Sequence, residues 1–185
     1  MKINTMQDLY IDLLRDMYSA EMQLIKALPK VAEKANSTDL KEAVTSHLEE
    51  TKEQAERLVR IFEMHDEKPG GETCEVMKGW LDEADELMNS GMKGDVLDAA
   101  LIAAGEKIEH YEVASYLTLS AFASHLDLED QEELLNETLE EEMNAADTLM
   151  SIFEQQWISN SKAQPQYGDG HRRAHEYEEG DVVER

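Results

Sequence analysis

The sequence has little cysteine, proline and aromatic residue content. Among 185 residues there are one cysteine, three prolines and 6% aromatic side chains. The single cysteine, Cys74, cannot form an internal disulfide, which favours a reducing compartment such as the cytoplasm. Few prolines and aromatics, beside abundant Ala, Leu, Met, Glu and Lys, favour helices over strands. We therefore expect an all-α protein.

Two further features are missing. The sequence has no run of about 18 apolar residues, the length needed to cross a bilayer, and no pattern of a signal peptide. It also has few basic residues, since 42 acidic side chains oppose 17 Lys and Arg and give a formal net charge of −25. This charge repels nucleic acid and anionic lipid, so we expect neither as a partner. It suits cations, although a salt-adapted surface has the same charge.

Apolar residues recur at three- and four-residue steps in four long segments, which predicts four amphipathic helices. A break at residues 69–71, Pro-Gly-Gly, separates the second segment from a shorter amphipathic helix over Met77–Met88. The long helices are predicted from Thr5 to about Ala35, from Asp39 to about His65, from Asp95 to about Leu126 and from Leu128 to about Trp157. Asp39, which is followed three residues later by Glu42, and Asp95 are the predicted caps of the second and third of these helices.

This order of helices predicts two antiparallel helical hairpins joined by a long crossover that contains the short helix. That is the topology of ferritin-like four-helix bundles. We expect residues 1–158 to form the bundle. Residues 159–185 are polar, contain Pro, Gly and mixed charge, and are predicted to form a flexible tail.

Ionisable residues interrupt the apolar stripes at positions where side chains are expected to face the core. Each long helix contributes at least one glutamate, and the second helix also contributes a histidine one turn from its glutamate. In chain order these residues are Glu21, His47, Glu50, Glu109, Glu112 and Glu142. We take them as the candidate metal ligands.

The acids are predicted to lie level with one another inside each hairpin. At about 1.5 Å of rise per residue, Glu21 and Glu50 lie roughly 20 to 24 Å from the turn that joins the first and second long helices. Glu112 and Glu142 lie roughly 22 Å from the second turn by the same count. Burying such acids without a positive partner costs several kcal/mol each, so the centre requires bound cations.

Carboxylate oxygens with one imidazole are donors that iron and manganese accept, whereas zinc is less suited to so many oxygens. A pair of such ions could react with O₂ or hydrogen peroxide, because each ion can give up one electron. The alternative to a buried metal site is that the helices are rotated by about 30° or 40° from the expected orientation, so that each glutamate side chain reaches solvent. Glu106, one turn before Glu109, is a reserve ligand. His110 follows Glu109 directly and so points about 100° away from it around the helix. We expect it either to contact a ligand without binding the metal itself or to lie at the surface.

The motifs Ser19-Ala20-Glu21, His47-Leu48-Glu49-Glu50-Thr51, Glu109-His110-Tyr111-Glu112 and Glu141-Glu142 resemble those of the stress-associated YciE/YciF-like proteins of the ferritin-like superfamily. The likeness covers about residues 5–155. It implies a rubrerythrin- or bacterioferritin-like bundle, often paired as a homodimer, with a dinuclear iron centre and a role in bacterial stress survival. The Glu-x-x-His motif common in the wider superfamily is absent: the order is reversed at His47 and Glu50, and no histidine lies near Glu142.

These observations leave two functions open. The first is a dinuclear iron or manganese oxidoreductase of peroxidase, catalase or ferroxidase type that consumes O₂ or hydrogen peroxide with an unidentified electron donor. The second is a protein that sequesters metal, or an interaction scaffold in which the metal is structural. Catalytic turnover separates the two.

Overall fold

The computed structural model describes the backbone of residues 3–161 and the side chains of residues 3–156. Within this part of the chain there are five helices and no strand. They are α1 (Met6–Lys34), α2 (Thr38–Met64), α3 (Glu75–Asn89), α4 (Asp95–His125) and α5 (Glu129–Ser161). The predicted all-α bundle with a helical crossover is confirmed.

The helix ends follow from local capping, and two of them differ from the prediction. Thr5 forms a capping box with Asp8 and starts α1 as expected. The cap of α2 is Ser37 rather than Asp39, because the Ser37 hydroxyl accepts from the backbone N–H of Leu40. Gly94, at φ 57°, precedes α4 in place of an Asp95 side-chain cap.

One helix ends as predicted and another is longer than predicted. α1 contains Pro29 and ends at Lys34, next to the predicted end at Ala35. α5 continues past the predicted end at Trp157 to Ser161, so the first residues of the predicted tail belong to the helix. The remainder of that tail, residues 162–185, lies outside the described residues.

The bundle consists of two hairpins packed side by side. α1 packs on α2 and α4 on α5, while α2 also contacts α5 and α1 contacts α4. The backbone N–H groups of Asn36 and Ser37 donate to the carboxylate of Asp98 at 2.7 and 2.8 Å. These two bonds place the start of α4 beside the α1–α2 turn, so the crossover brings the chain back along the bundle.

At the opposite end of the bundle, a series of side-chain hydrogen bonds links α1, α2 and α5. The hydroxyl of Tyr10 donates to Gln131 Oε1 at 2.9 Å, and the ring nitrogen Nε2 of His65 lies 3.0 Å from the same oxygen. Gln7 Nε2 completes the series at 3.2 Å from His65 Nδ1. These bonds hold the starts of α1 and α5 against the last turn of α2.

The crossover helix α3 packs against α1 and α4. Its first turn is tied down at Cys74, whose backbone N–H donates to Ser19 Oγ at 2.9 Å. The Cys74 thiol lies 3.2 Å from Asp16 Oδ2 and 3.1 Å from the hydroxyl of Tyr111, and Tyr111 donates to the same Asp16 oxygen. The crossover is therefore anchored by polar contacts to both hairpins.

The apolar stripes meet in one continuous core. Among its fully buried side chains are Tyr10, Leu14, Phe62, Tyr116 and Leu119. Some stripe residues are only half-buried: Ile25, Ala99 and Val113 lie at the margin of the core. The core is interrupted near the middle of the bundle by the ionisable residues described next.

Candidate metal centre

Ionisable side chains from all four long helices converge in the interior. Glu21 on α1, Glu112 on α4 and Glu142 on α5 are 0% exposed, and His47 on α2 and Glu109 on α4 are 7% and 5% exposed. One donor atom each from His47, Glu109, Glu112 and Glu142 can be chosen so that all lie within 4.8 Å of one another. The structure thus brings four of the six predicted ligands within reach of one ion, and Glu21 is buried close enough for its charge to interact with Glu142 and His47.

Most donor atoms in this cluster lack a hydrogen-bond partner in the described part of the chain. The unpartnered atoms are Glu21 Oε2, both ring nitrogens of His47, Glu109 Oε2 and both carboxyl oxygens of Glu112 and Glu142. Buried polar atoms are normally hydrogen-bonded, and an unmet charged group costs several kcal/mol. So many unpartnered oxygen and nitrogen atoms in one place fit a bound metal, because all of them could coordinate it.

The electrostatics agree with this interpretation. Burial raises the pKa of Glu21 to about 8, and the nearby charge of Glu142 adds to the rise. Burial likewise raises the pKa of Glu109 to about 7. The pKa values of Glu112 and Glu142 lie well above their usual range for the same reason. Without a cation, the centre therefore holds protons near neutral pH.

The imidazole of His47 is positioned between acids. Its Nε2 lies 3.6 Å from Glu109 Oε1, and its Nδ1 lies 3.7 Å from Glu50 Oε2. Burial lowers the pKa of His47, but the carboxylates of Glu50, Glu142 and Glu21 outweigh it and the pKa ends above its usual value. Both nitrogens remain outside hydrogen-bond distance of these oxygens, so either one can serve as a donor to a metal.

Tyr116 contributes a buried hydroxyl next to the cluster. It is 0% exposed and donates a short hydrogen bond to Glu21 Oε1. The other carboxyl oxygen of Glu21 is buried and has no hydrogen-bond partner among the described residues. Tyr116 therefore fixes the orientation of Glu21 in the same way that neighbours of metal ligands orient them.

The other predicted site residues lie further out. Glu50 has a side chain that is 44% exposed and stands at the rim beside His47, outside the group of four mutually close donors. Glu106 is 19% exposed and has one buried oxygen without a partner among the described residues. His110 is 69% exposed and donates from Nδ1 to the backbone oxygen of Glu106, so it faces the surface.

Sequence reasoning did not identify the ion-pair network that borders the centre. Arg57 is buried on α2, and its two terminal nitrogens donate to both oxygens of Glu141 at 2.6 and 2.7 Å. It also donates to Glu137 at 3.0 Å, and Gln54 donates to Glu141 at 3.1 Å. Arg57 continues the polar strip through Thr51 and Gln54, and that spacing was the available signal. The network neutralises the acid next to Glu142.

No helix in the described part of the chain is both long enough and apolar enough to cross a membrane.

Comparison of the sequence with known proteins identifies a family and a relative. A family model described as a domain of unknown function, DUF892, matches residues 5–162. Protein YciF of Escherichia coli is 46% identical over 143 residues, which is 77% of this chain and 86% of the relative.

Solved structures show the same fold. The crystal structure of the E. coli stress protein YciF aligns with a TM-score of 0.81 and 41% identity, over 88% of this chain and 100% of that one. YcfI of Rhodopseudomonas palustris aligns with a TM-score of 0.78 and 44% identity, over 80% and 94% of the two chains. A Xanthomonas campestris protein at 17% identity and a TM-score of 0.67, covering 86% and 98%, shares the fold.

Proposed function

The chain belongs to the DUF892 family, together with the stress protein YciF, and on that premise we propose that it is a non-haem dinuclear metal protein. The metal is iron or manganese, and the reaction partner is O₂ or hydrogen peroxide in protection against stress. The observation that carries this proposal is the set of buried, unpartnered oxygen and nitrogen atoms contributed by four helices.

The charge of the site supports a bound cation over an empty interior. Four buried glutamates lose their hydration and would also repel one another when ionised, and their raised pKa values express both costs. Arg57, a buried cation that borders the cluster, is already paired with Glu141 and Glu137. The charge of the inner carboxylates therefore has to be balanced by protons or by metal ions.

The donor set also narrows the metal. It holds four buried carboxylates and one imidazole, and it contains no thiolate. Oxygen-rich sites with a nitrogen donor suit iron and manganese, whereas structural zinc sites favour thiolates and imidazoles in fours. When bound, two such ions would supply one electron each to an oxygen or peroxide molecule.

The protein's own residues prepare the centre for this chemistry. Tyr116 orients Glu21, and the Arg57 network holds α2 against α5 so that His47 and Glu142 face one another. The apolar core around them excludes bulk water, which strengthens electrostatic interactions inside. Glu50, at the exposed rim, is the residue through which the centre can exchange protons with solvent.

Anaerobic titration with ferrous iron tests the proposal. We expect about two ions per chain, followed on addition of hydrogen peroxide by a ferric absorption band and repeated turnover. Glu112→Gln keeps the shape of a fully buried side chain and removes its charge, so it should reduce metal occupancy. Glu140→Gln, an exposed change of the same kind on α5, is the matched control and should bind metal normally.

The same titration separates the second function. One stoichiometric oxidation without turnover would support metal sequestration or a structural metal. Absence of metal binding at micromolar iron and manganese would refute the centre altogether. The cytoplasmic location and the homodimer stay predictions, and sedimentation velocity of the purified chain tests the second.

A further inference from the structure

An apolar cavity of about 210 Å³ lies between the two hairpins on the α1–α2-turn side of the metal centre. Its walls are mostly Leu, Ile, Val and Ala, contributed by all five helices. Buried wall residues include Leu28, Leu101, Ile108 and Leu149. Three of the candidate ligands, His47, Glu50 and Glu109, also line it, so the cavity adjoins the centre.

The entrance lies between α2 and α5. The exposed residues that line the cavity are Ser46 on α2 and Asn144 and Thr148 on α5. The neighbouring α4–α5 seam is tight, because a Cβ atom at Gly105 would come within 2.8 Å of Leu149 Cδ1. A small molecule could therefore enter between α2 and α5 and move inward toward His47.

We propose that this cavity binds a neutral apolar organic molecule about the size of one substituted aromatic ring. An apolar cavity of roughly 150 Å³ stays dry and binds benzene, so the larger volume here is sufficient. Water would find hydrogen-bond partners at the end formed by His47, Glu50, Glu109 and Glu141 and at the polar side chains of the entrance, but the aliphatic side chains of the walls offer none. Such a chamber offers an apolar ligand dispersion contacts that water cannot supply.

Charge excludes the other ligand classes. The polar end of the cavity carries three carboxyl groups, on Glu50, Glu109 and Glu141, and the whole chain carries a net charge of −25. An anionic head group, such as that of a fatty acid, would be repelled. A cation would lose its hydration on entering the apolar part, at a cost that the wall residues do not offset.

The inference deepens the proposed function and, as far as a substrate is concerned, rests on it. A molecule in the cavity would lie against His47 and Glu109, which also belong to the metal centre. The ligand's binding, however, requires no metal. The two ideas can thus fail independently.

Benzene binding to the full-length, chelator-treated protein tests the cavity, with the melting temperature and side-chain methyl NMR shifts as readouts. We expect saturable binding of benzene and none of benzoate. Ala104 is buried and lines the cavity, so Ala104→Leu should fill it and abolish benzene binding. Ala103→Leu, on the exposed face of the same helix, is the matched control and should bind benzene like the wild type.

Other results would overturn the proposal. Absence of benzene binding to the wild type, or equal binding by Ala104→Leu, would show that the cavity is not an apolar ligand site. If Ala104→Leu fails to fold, Ala145→Leu fills the cavity from α5 at a half-buried position. A protein that binds benzene but no iron would retain the cavity site and lose the proposed metal function, whereas the reverse result would lose only the cavity site.

Discussion

The stability of the metal-free protein is expected to fall as the pH rises from about 4.5 to about 8. The pKa of Glu109 is raised from 4.5 to about 7 and that of Glu21 from 4.5 to about 8. Between the two values of each group, the folded state binds more protons than the unfolded state. Stability therefore decreases with pH in this window. An acid whose pKa is lowered on folding behaves in the opposite way.

Glu109 gives the scale of the effect. A rise of its pKa from 4.5 to about 7 corresponds to about 3 kcal/mol lost by neutral pH, at roughly 1.4 kcal/mol for each pH unit. Glu142 has its pKa raised well above the usual range by burial and by the charge of Glu109. Replacing Glu142 with a residue that cannot ionise should therefore prevent a comparable loss in the free energy of unfolding.

Urea unfolding in the presence of a chelator, at half-unit steps from pH 5 to pH 8, measures the effect. We expect a falling free energy of unfolding in the wild type and a flatter curve in Glu142→Gln, which has one fewer buried acid to ionise. Glu140→Gln removes an exposed charge from the same helix and should keep the wild-type slope. A free energy that is constant or rises with pH, or equal slopes in both variants, would refute the reasoning.

Bound metal should stabilise the folded protein. At a free metal concentration 100 times the dissociation constant, binding adds about 3 kcal/mol to the free energy of unfolding, so chelation should lower the melting temperature by about 5–10 °C in a scanning calorimeter. Arg57→Met leaves the Glu141 carboxylate without its cationic partner and should cost about 3 kcal/mol in urea unfolding, while Arg60→Met, on the exposed face, should cost little. Asp98→Ala removes the acceptor at the α1–α2 turn and should cost about 1–2 kcal/mol by the same assay.

The helical scaffold could be predicted from sequence because its signal is periodic. Apolar residues at three- and four-residue steps placed all five helices, and the count of residues from the second turn placed Glu112 level with Glu142, both of which are fully buried. Local competition was harder to predict. Ser37 and Asp39 are both good caps, and only the backbone path after Ala35 determines that Ser37 begins the helix.

Positions at the edge of a stripe could not be resolved in the same way. Glu50 lies one turn from His47, yet a modest rotation of α2 leaves it 44% exposed while His47 is buried. The Arg57–Glu141 pair joins residues 84 positions apart, and no local pattern identifies such partners. The cavity depends on how far apart the hairpins lie, which the spacing of apolar residues does not encode.

Cys74 makes the attachment of the crossover measurable. Its thiol is 0% exposed, enclosed by Asp16 and Tyr111, and burial raises its pKa. A thiol-specific reagent can therefore react only when the first turn of α3 lifts away from α1 and α4. Because the chain has no second cysteine, the labelling rate of the unmodified protein would report the frequency of that local opening, separately from global unfolding.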